Sequence, residues 1–116
     1  WDGIEQQHGF VHGGVVGMIA DSAAGYAAMT LVPANASVLT VEYKMNLLAP
    51  ADGEKLIARG QVLRSGRTLI VTKAEVFAVK AGKETLTHNS ILRRLHSKMP
   101  MTFNCCHTQK RHSRPL

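Results

Sequence analysis

Residues 12–31 read HGGVVGMIADSAAGYAAMTL, and almost every side chain in them is small or apolar. A helix that is hydrophobic nearly all round is typical of a buried element rather than of a surface helix. Pro33 and Asn35 follow the stretch and are typical of a helix end. We therefore predict one long helix that begins at Gly13 and is buried in the domain.

The residues after this helix alternate between apolar and polar side chains, as half-buried strands do. Over residues 37–48 the alternation predicts one apolar face, made of Leu39, Val41, Tyr43, Met45 and Leu47. Two further strands are predicted at residues 55–63 and 68–79, and a fourth is predicted to start near Glu84. Turns are predicted between them at Pro50, Asp52-Gly53, Ser65-Gly66 and Ala81-Gly82. This order predicts an α+β fold in which an antiparallel sheet curls around the helix.

The formal charge of +6 is confined to the last quarter of the chain. Residues 1–87 hold equal numbers of basic and acidic side chains, whereas residues 88–116 hold basic ones and no acid. We therefore predict a domain at 1–87 and a basic tail at 88–116, with a strand remnant and a non-native or disordered terminus. The tail also contains Cys105 and Cys106, so the domain has no disulfide framework and a cytoplasmic location is expected.

Length and composition exclude several classes of protein. The 116 residues suffice for one hydrophobic core. No apolar run approaches the roughly 20 residues of a membrane span, and the start has no signal-peptide pattern. The basic tail has Phe103 as its one aromatic residue and no recognised motif, so the sequence does not favour nucleic acid binding.

Asp21 is the side chain that points to chemistry. A carboxylate on an apolar helix is costly to bury unless it is paired or functional. Gly13 and Gly14 open the same helix, where N–H groups lack intrahelical partners and a ligand can approach the backbone closely. Each feature also has a structural explanation, namely a hydrogen-bonded Asp and a tight loop-to-helix joint. Together they suggest acyl transfer, with an oxyanion donor and a carboxylate.

The spacing of these residues predicts an oligomer. Gly13 and Asp21 are eight residues apart, which is about 12 Å along a helix. Donor and base must both come within about 3 Å of one reacting group. If the chain is an enzyme, Gly13 of one subunit must therefore face Asp21 of another, in a homodimer or homotetramer with shared sites.

At this point the residues resemble a known family, the PaaI-type hotdog acyl-CoA thioesterases. The resemblance is carried by Gly9–Asp21 with its His-Gly-Gly entrance, by residues 38–53 (VLTVEYKMNLLAPADG), and by residues 64–68 (RSGRT). It covers about residues 5–84. It implies a hotdog fold, in which a long central helix is wrapped by a curved antiparallel sheet, and an acyl-CoA substrate without a metal or other cofactor.

The resemblance also implies roles for individual residues. Gly13 would polarise the thioester carbonyl, and Asp21 would act as general base or nucleophile. Gln6 matches a position that helps to place substrate or water, and Thr40 matches one that holds the water. His12 and Gly14 would lie near the substrate, with a structural role for His12 equally open. Arg64 and Arg67 suit the phosphates of coenzyme A. The alternative, which their position beside a turn favours, is that both are solvated surface residues.

The chain departs from the family at both ends, and other functions stay open. Family members usually have a preceding helix and strand, so we expect an N-terminally truncated domain. The main alternative is a non-catalytic hotdog module that binds acyl-CoA or a protein partner, because one fold hosts several functions. A dehydratase would require a histidine base on the helix, where this chain has Asp21.

Overall fold

The computed structural model describes residues 3–97 as one helix followed by four strands. The elements are helix α1 (Gly13–Met29) and strands β1 (Ser37–Leu47), β2 (Lys55–Ser65), β3 (Leu69–Lys80) and β4 (Lys83–Ser97). The strands form one antiparallel sheet in the order β1-β4-β3-β2, and α1 packs against it. The predicted α+β architecture of a hotdog fold is confirmed.

Strand β4 extends well into the segment that was predicted to be a basic tail. The predicted domain ended at Thr87, whereas β4 continues to Ser97 and lies in the centre of the sheet, between β1 and β3. The sequence did not predict this part of the strand, because several of its buried positions carry polar side chains, namely Thr87, His88, Ser90 and Arg94. The rest of the predicted tail, residues 98–116, lies outside the described residues.

A β-bulge in strand β1 decides which of its side chains face the helix. The register between β1 and β4 shifts between Thr40 and Glu42, so that Val41 is the extra residue. Thr40 faces the helix before the bulge, and the side chains that do so after it are Tyr43, Met45 and Leu47. Placing these three on one face with Leu39 was wrong, because one extra residue reverses the alternation of side chains.

Helix α1 buries one face rather than all of its surface. The buried face carries small side chains and lies on the sheet; its members are Val16, Gly17, Ala20, Ala24 and Ala28. On the opposite face the exposed fractions of Met18 and Tyr26 are 61% and 72%. The prediction of a helix buried in the domain was therefore wrong for a single chain, because the sheet covers one side of it only.

Gly60 of strand β2 sets how closely the helix approaches the sheet. A Cβ atom at Gly60 would lie 2.2 Å from the carbonyl oxygen of Ala23, so the helix backbone rests directly on this position. The residue paired with Gly60 on β3 is the small, fully buried Ala74. This contact holds α1 close enough for Asp21 to reach strand β1. No helix within residues 3–97 has the length and apolarity that crossing a membrane requires.

Candidate active site

Asp21 lies in the middle of helix α1, with its carboxylate directed at strands β1 and β4. The hydroxyl of Thr40 donates to Asp21 Oδ1 at 2.9 Å, and Arg94 Nη2 donates to the same oxygen at 2.8 Å. The Asp21 side chain is 42% exposed, whereas that of Arg94 is 4% exposed. The carboxylate is thus held from the inside of the fold and open to solvent on its other side.

Arg94 is a site residue to which no pattern in the sequence pointed. Its guanidinium donates from Nη1 to Thr40 Oγ1 and from Nη2 to the backbone carbonyl of Asp21 at 2.6 Å, in addition to the carboxylate. Arg94 pairs with Thr40 in the register of β1 and β4, so both side chains point towards the helix. The residue was assigned to a basic tail because the strand that carries it has no regular alternation.

Only one oxygen of the Asp21 carboxylate is occupied by these contacts. Oδ1 accepts from Thr40 and from Arg94, and Oδ2 accepts no hydrogen bond from any residue in the described part of the chain. The Thr40 hydroxyl uses its proton on Asp21 and accepts from Arg94. Thr40 therefore orients the carboxylate, and Oδ2 is available to a water molecule or a substrate.

A cleft of about 380 Å³ opens beside Asp21. Its lining combines the two charged groups with mostly small or apolar side chains, namely Ser22, Gly25, Tyr26, Met29, Ser37 and Val38. The charge of Arg94 is already matched by Asp21 at 2.8 Å. The cleft therefore suits an uncharged, apolar group next to a reactive polar one.

The start of helix α1 forms a second candidate region. His12 caps the helix: its Nδ1 accepts from the N–H of Gly14 at 2.9 Å, and its carbonyl oxygen accepts from the N–H of Val15 at 2.9 Å. The N–H of Gly13 donates to no residue within 3–97. It is a free backbone donor at the positive end of the helix dipole, as an oxyanion site requires.

A short turn brings Gln6 next to this donor. The N–H of Gln6 donates to the carbonyl of Phe10 at 2.8 Å, and the N–H of His12 donates to the carbonyl of Ile4 at 2.8 Å. Gln6 and Gly13 both line a cleft of about 440 Å³ whose walls are mainly apolar. His12 and Gly14 line an adjoining cleft with them. The structure thus brings together four of the residues that the sequence singled out.

The two regions are not brought together within one chain. Asp21 and Thr40 lie at one cleft, and Gln6 and Gly13 lie at another, about two helical turns away. Arg64, near the end of β2, and Arg67, in the turn that follows, are exposed and line neither cleft. A single chain therefore presents two half-sites, each with part of the predicted chemistry.

On the helix face towards strand β1, three glycines and Asp21 recur at a regular spacing that runs from one half-site to the other. Gly13, Gly17, Asp21 and Gly25 follow one another at four-residue intervals and so lie on one side of the helix. Cβ atoms at the three glycines would lie 3.0–3.3 Å from Leu47, Tyr43 and Arg94 respectively. This repeat of small residues is the signal in the sequence that identifies the face against which the site strands pack.

One buried titratable group takes no part in either half-site. His88 of strand β4 is fully buried, and neither of its ring nitrogens has a partner among the described residues. Burial lowers the pKa of His88 below its ordinary value, because the charged form loses its hydration. Within residues 3–97 no group of three or more His, Cys, Asp or Glu side chains is arranged to hold a metal ion.

Comparison with known structures places this geometry in a family. A thioesterase family protein from Silicibacter pomeroyi is 43% identical and superposes with a TM-score of 0.79, over 80% of this chain and 68% of that one. The BH2602 protein from Bacillus halodurans, crystallised with CoA, superposes with a TM-score of 0.78, over 84% of this chain and 62% of that one. At 20% identity, the second structure shows the fold alone.

Comparison with known sequences points to the same family as the structural comparison. A protein from Saccharolobus solfataricus, named for an inferred esterase activity, is 39% identical over 67 residues, which are 58% of this chain and 47% of that protein. The chain spans about half the length of the curated relatives that it matches. A model of the thioesterase superfamily matches residues 8–85, well over half of the chain. The chain therefore belongs to the thioesterase superfamily.

Proposed function

We propose that the chain is an acyl-CoA thioesterase of the PaaI type, which hydrolyses the thioester of an aryl- or medium-chain acyl-CoA. The observation that carries this proposal is the Asp21 carboxylate, which is fixed through Oδ1 while Oδ2 is free at the edge of a largely apolar cleft. Such a cleft accepts an uncharged acyl group and presents a base to its carbonyl end. The CoA bound by the Bacillus halodurans protein of the same fold supports the choice of carrier.

The chemistry needs a base and an oxyanion donor. Asp21 Oδ2 takes a proton from water while the water oxygen bonds to the thioester carbonyl carbon. The carbonyl electrons move to oxygen, and the N–H of Gly13 donates to the resulting oxyanion. The C=O bond then re-forms as the C–S bond breaks. The thiolate of coenzyme A takes up the proton from Asp21, leaving a carboxylic acid and the free thiol.

The two half-sites require a second copy of the chain. Gly13 and Asp21 are separated by about 12 Å along α1, so they cannot serve one thioester within a chain. Two helices packed antiparallel would bring Gly13 of each copy to Asp21 of the other. The exposed face of α1 supports this assembly, because it leaves large apolar side chains such as Met18 and Tyr26 open to solvent. Contiguous apolar patches on a protein surface mark sites of interaction. We propose a homodimer, or a homotetramer built from it.

The first test compares the wild type with Asp21→Asn on a panel of aryl- and alkyl-acyl-CoAs. Asparagine keeps an oxygen that can accept from Thr40 and Arg94 and removes the base. Because it also removes the negative charge opposite the buried Arg94, the fold of the variant is checked by circular dichroism before turnover is compared. Loss of thioester absorbance is the readout, because Cys105 and Cys106 would react with a thiol dye. Glu84→Gln is the matched control, since Glu84 is an exposed carboxylate paired with Arg59. Turnover that survives in Asp21→Asn contradicts the proposal.

The oxyanion donor is tested with two substitutions at Gly13. Proline is tolerated at the first position of a helix and removes the N–H, whereas alanine keeps it. The φ and ψ angles of His12, −59° and 134°, already match those required of a residue before proline. We expect Gly13→Pro to lower kcat on the order of 100-fold, as removal of an oxyanion donor does, and Gly13→Ala to retain most activity. Equal loss in both variants would argue against the N–H.

The shared site is tested by mixing inactive variants. In a heterodimer of Asp21→Asn and Gly13→Pro, one site has both functional groups and the other has neither. Random assortment into dimers should therefore restore about a quarter of wild-type activity. If the mixture stays as inactive as its components after unfolding and joint refolding, the site is not shared in this way.

We propose that Arg64 and Arg67 contact the phosphates of coenzyme A. Arg64, near the end of β2, and Arg67, in the turn that follows, are both exposed, so that the phosphates at the far end of a pantetheine arm could reach them in solvent. Replacing both with alanine should raise KM for acyl-CoA and leave turnover of a short acyl-pantetheine thioester unchanged. A double variant with unchanged KM for acyl-CoA would make these residues ordinary solvated arginines.

A non-catalytic module that binds acyl-CoA is the second candidate function. The ion pair between Asp21 and Arg94 favours it, because a carboxylate held by a buried cation also has a structural use. Calorimetry with a non-hydrolysable thioether analogue measures binding for either function. Binding of the analogue without turnover of any matching thioester would select the module, whereas turnover that depends on Asp21 selects the enzyme.

A further inference from the structure

The structure assigns to Arg94 the role of a positioning residue, which holds Asp21 so that Oδ2 faces the cleft. The inference rests on the proposed thioesterase function. Its basis is a set of three acceptors around one buried guanidinium: the carbonyl oxygen of Asp21 at 2.6 Å, Asp21 Oδ1 at 2.8 Å, and Thr40 Oγ1. The guanidinium thus contacts both the backbone and the side chain of Asp21.

The contacts restrict the carboxylate in two ways. Because Nη2 bridges the backbone carbonyl and Oδ1 of Asp21, rotation of the side chain away from the sheet breaks a charge-assisted hydrogen bond. The Thr40 hydroxyl donates to the same Oδ1 and accepts from Arg94, which closes a ring of three groups. A half-turn of the carboxylate group exchanges Oδ1 and Oδ2, but the two oxygens are chemically equivalent. One oxygen therefore always faces the cleft.

The fold provides a specific place for the guanidinium. Arg94 pairs with Thr40 on β1 and with the fully buried Ile70 on β3, so its side chain runs beneath the helix. Gly25, one turn after Asp21, leaves room for it, because a Cβ there would lie 3.3 Å from Nη1. Arg94 itself is 3% exposed. A buried cation is costly unless it is paired, so Arg94 and Asp21 depend on each other.

Lysine cannot replace this arrangement completely. The planar guanidinium directs two nitrogens to acceptors on two different elements at once, whereas an ammonium is a single point of charge on a flexible stem. Arg94→Lys should therefore keep the charge and lose part of the alignment. Arg94→Met keeps the length and apolar volume of the stem and removes both the charge and the donors.

The test compares wild type, Arg94→Lys and Arg94→Met in steady-state turnover of the best acyl-CoA. We expect kcat to fall on the order of 10- to 100-fold in Arg94→Met, as misplacement of a reacting group does, with KM within about twofold. Arg94→Lys should lie between Arg94→Met and the wild type, and added guanidinium salt well below denaturing concentration should partly restore Arg94→Met. Thr72→Val is the control, since Thr72 is an equally buried polar residue without a partner among the described residues.

A double variant separates positioning from general damage. In the Asp21→Asn background the carboxylate is already gone, so Arg94→Met should cause no further loss of residual turnover. An additive loss, or a kcat in Arg94→Met equal to that of wild type or above it, overturns the assignment while Asp21 dependence still supports the thioesterase. A wild-type chain that is folded and turns over no thioester overturns both.

Discussion

Replacing Gly60 with alanine tests whether the distance between helix α1 and the sheet is set at this one position. The added Cβ would lie 2.2 Å from the carbonyl oxygen of Ala23, 2.5 Å from its carbonyl carbon and 2.9 Å from the nitrogen of Ala24. Ordinary contact begins at 3.4 Å, so helix and strand must separate by roughly 1.2 Å. The obstructing atoms belong to a helix backbone and cannot rotate away.

The size of the effect follows from this collision. Overpacking a core costs about 1–3 kcal/mol, and because this clash is with backbone atoms we expect Gly60→Ala to lower the free energy of unfolding by about 3 kcal/mol. At roughly 4 °C per kcal/mol for a domain of this size, Tm should fall by about 12 °C. Asp21 lies two residues before Ala23, so the same movement stretches its contacts with Thr40 and Arg94. Displacement of a catalytic group by about 1 Å costs up to about 100-fold in rate.

Stability is measured by thermal and urea unfolding, with circular dichroism as the signal. Turnover of the variant is measured about 20 °C below its own Tm, where its population is folded. Gly17→Ala is the matched control. Its Cβ would meet Tyr43 Oη at 3.0 Å and Met45 Sδ at 3.1 Å, which are ends of half-exposed side chains that can move. Helix propensity should make this control as stable as wild type or up to about 1 kcal/mol more stable. An unchanged Tm for Gly60→Ala would refute the reasoning.

Three further outcomes are expected. Burial lowers the pKa of His88, so the unfolded chain binds a proton that the folded chain does not, and stability falls as pH drops below the ordinary value of 6.5. His88→Leu should flatten this fall in urea titrations between pH 8 and about 5; an unchanged slope would show that another group causes it. His12→Ala should lower the free energy of unfolding by about 0.5–2 kcal/mol, because the helix loses the cap on the N–H of Gly14. His12→Asn should recover much of this loss, since asparagine is also a capping residue, and an equal loss in both variants would exclude capping. Met18→Lys should shift sedimentation equilibrium towards monomer by placing a charge on the exposed helix face, and a full-strength oligomer would remove that face from the proposed interface.

The helix entrance was predictable because it depends on local chemistry. Two glycines followed by an apolar stretch predicted a helix that begins at Gly13 with N–H groups that lack intrahelical partners, and the structure has this helix start. The cap that His12 forms on Gly14 was seen only in the structure. The strands β1 to β3 were also found, within two residues at each end, from alternation and turn residues. Asp21 was identified for a similar reason, since a carboxylate within an apolar helix is rare enough to be noticed.

The face of each strand and the partner of Asp21 depended on contacts between distant residues. The bulge at Val41 leaves no mark in the sequence, yet it turns Thr40 towards Asp21. The centre of strand β4 was predicted to be part of a basic tail, because its inward side chains are polar and its partners on β1 lie up to 60 residues away, as in the pairing of Ser37 with Ser97.

By itself the sequence determined the helix, its start, the turn positions and the carboxylate, because these follow from side chains within a few residues of one another. Tertiary structure alone decided that Arg94 lies buried against Asp21, that Thr40 shares its face, and that one side of α1 stays exposed. The physical reason is that the register of a sheet fixes which side of a strand is inside. That register results from pairing between β1 and β4, not from the residues of either strand alone.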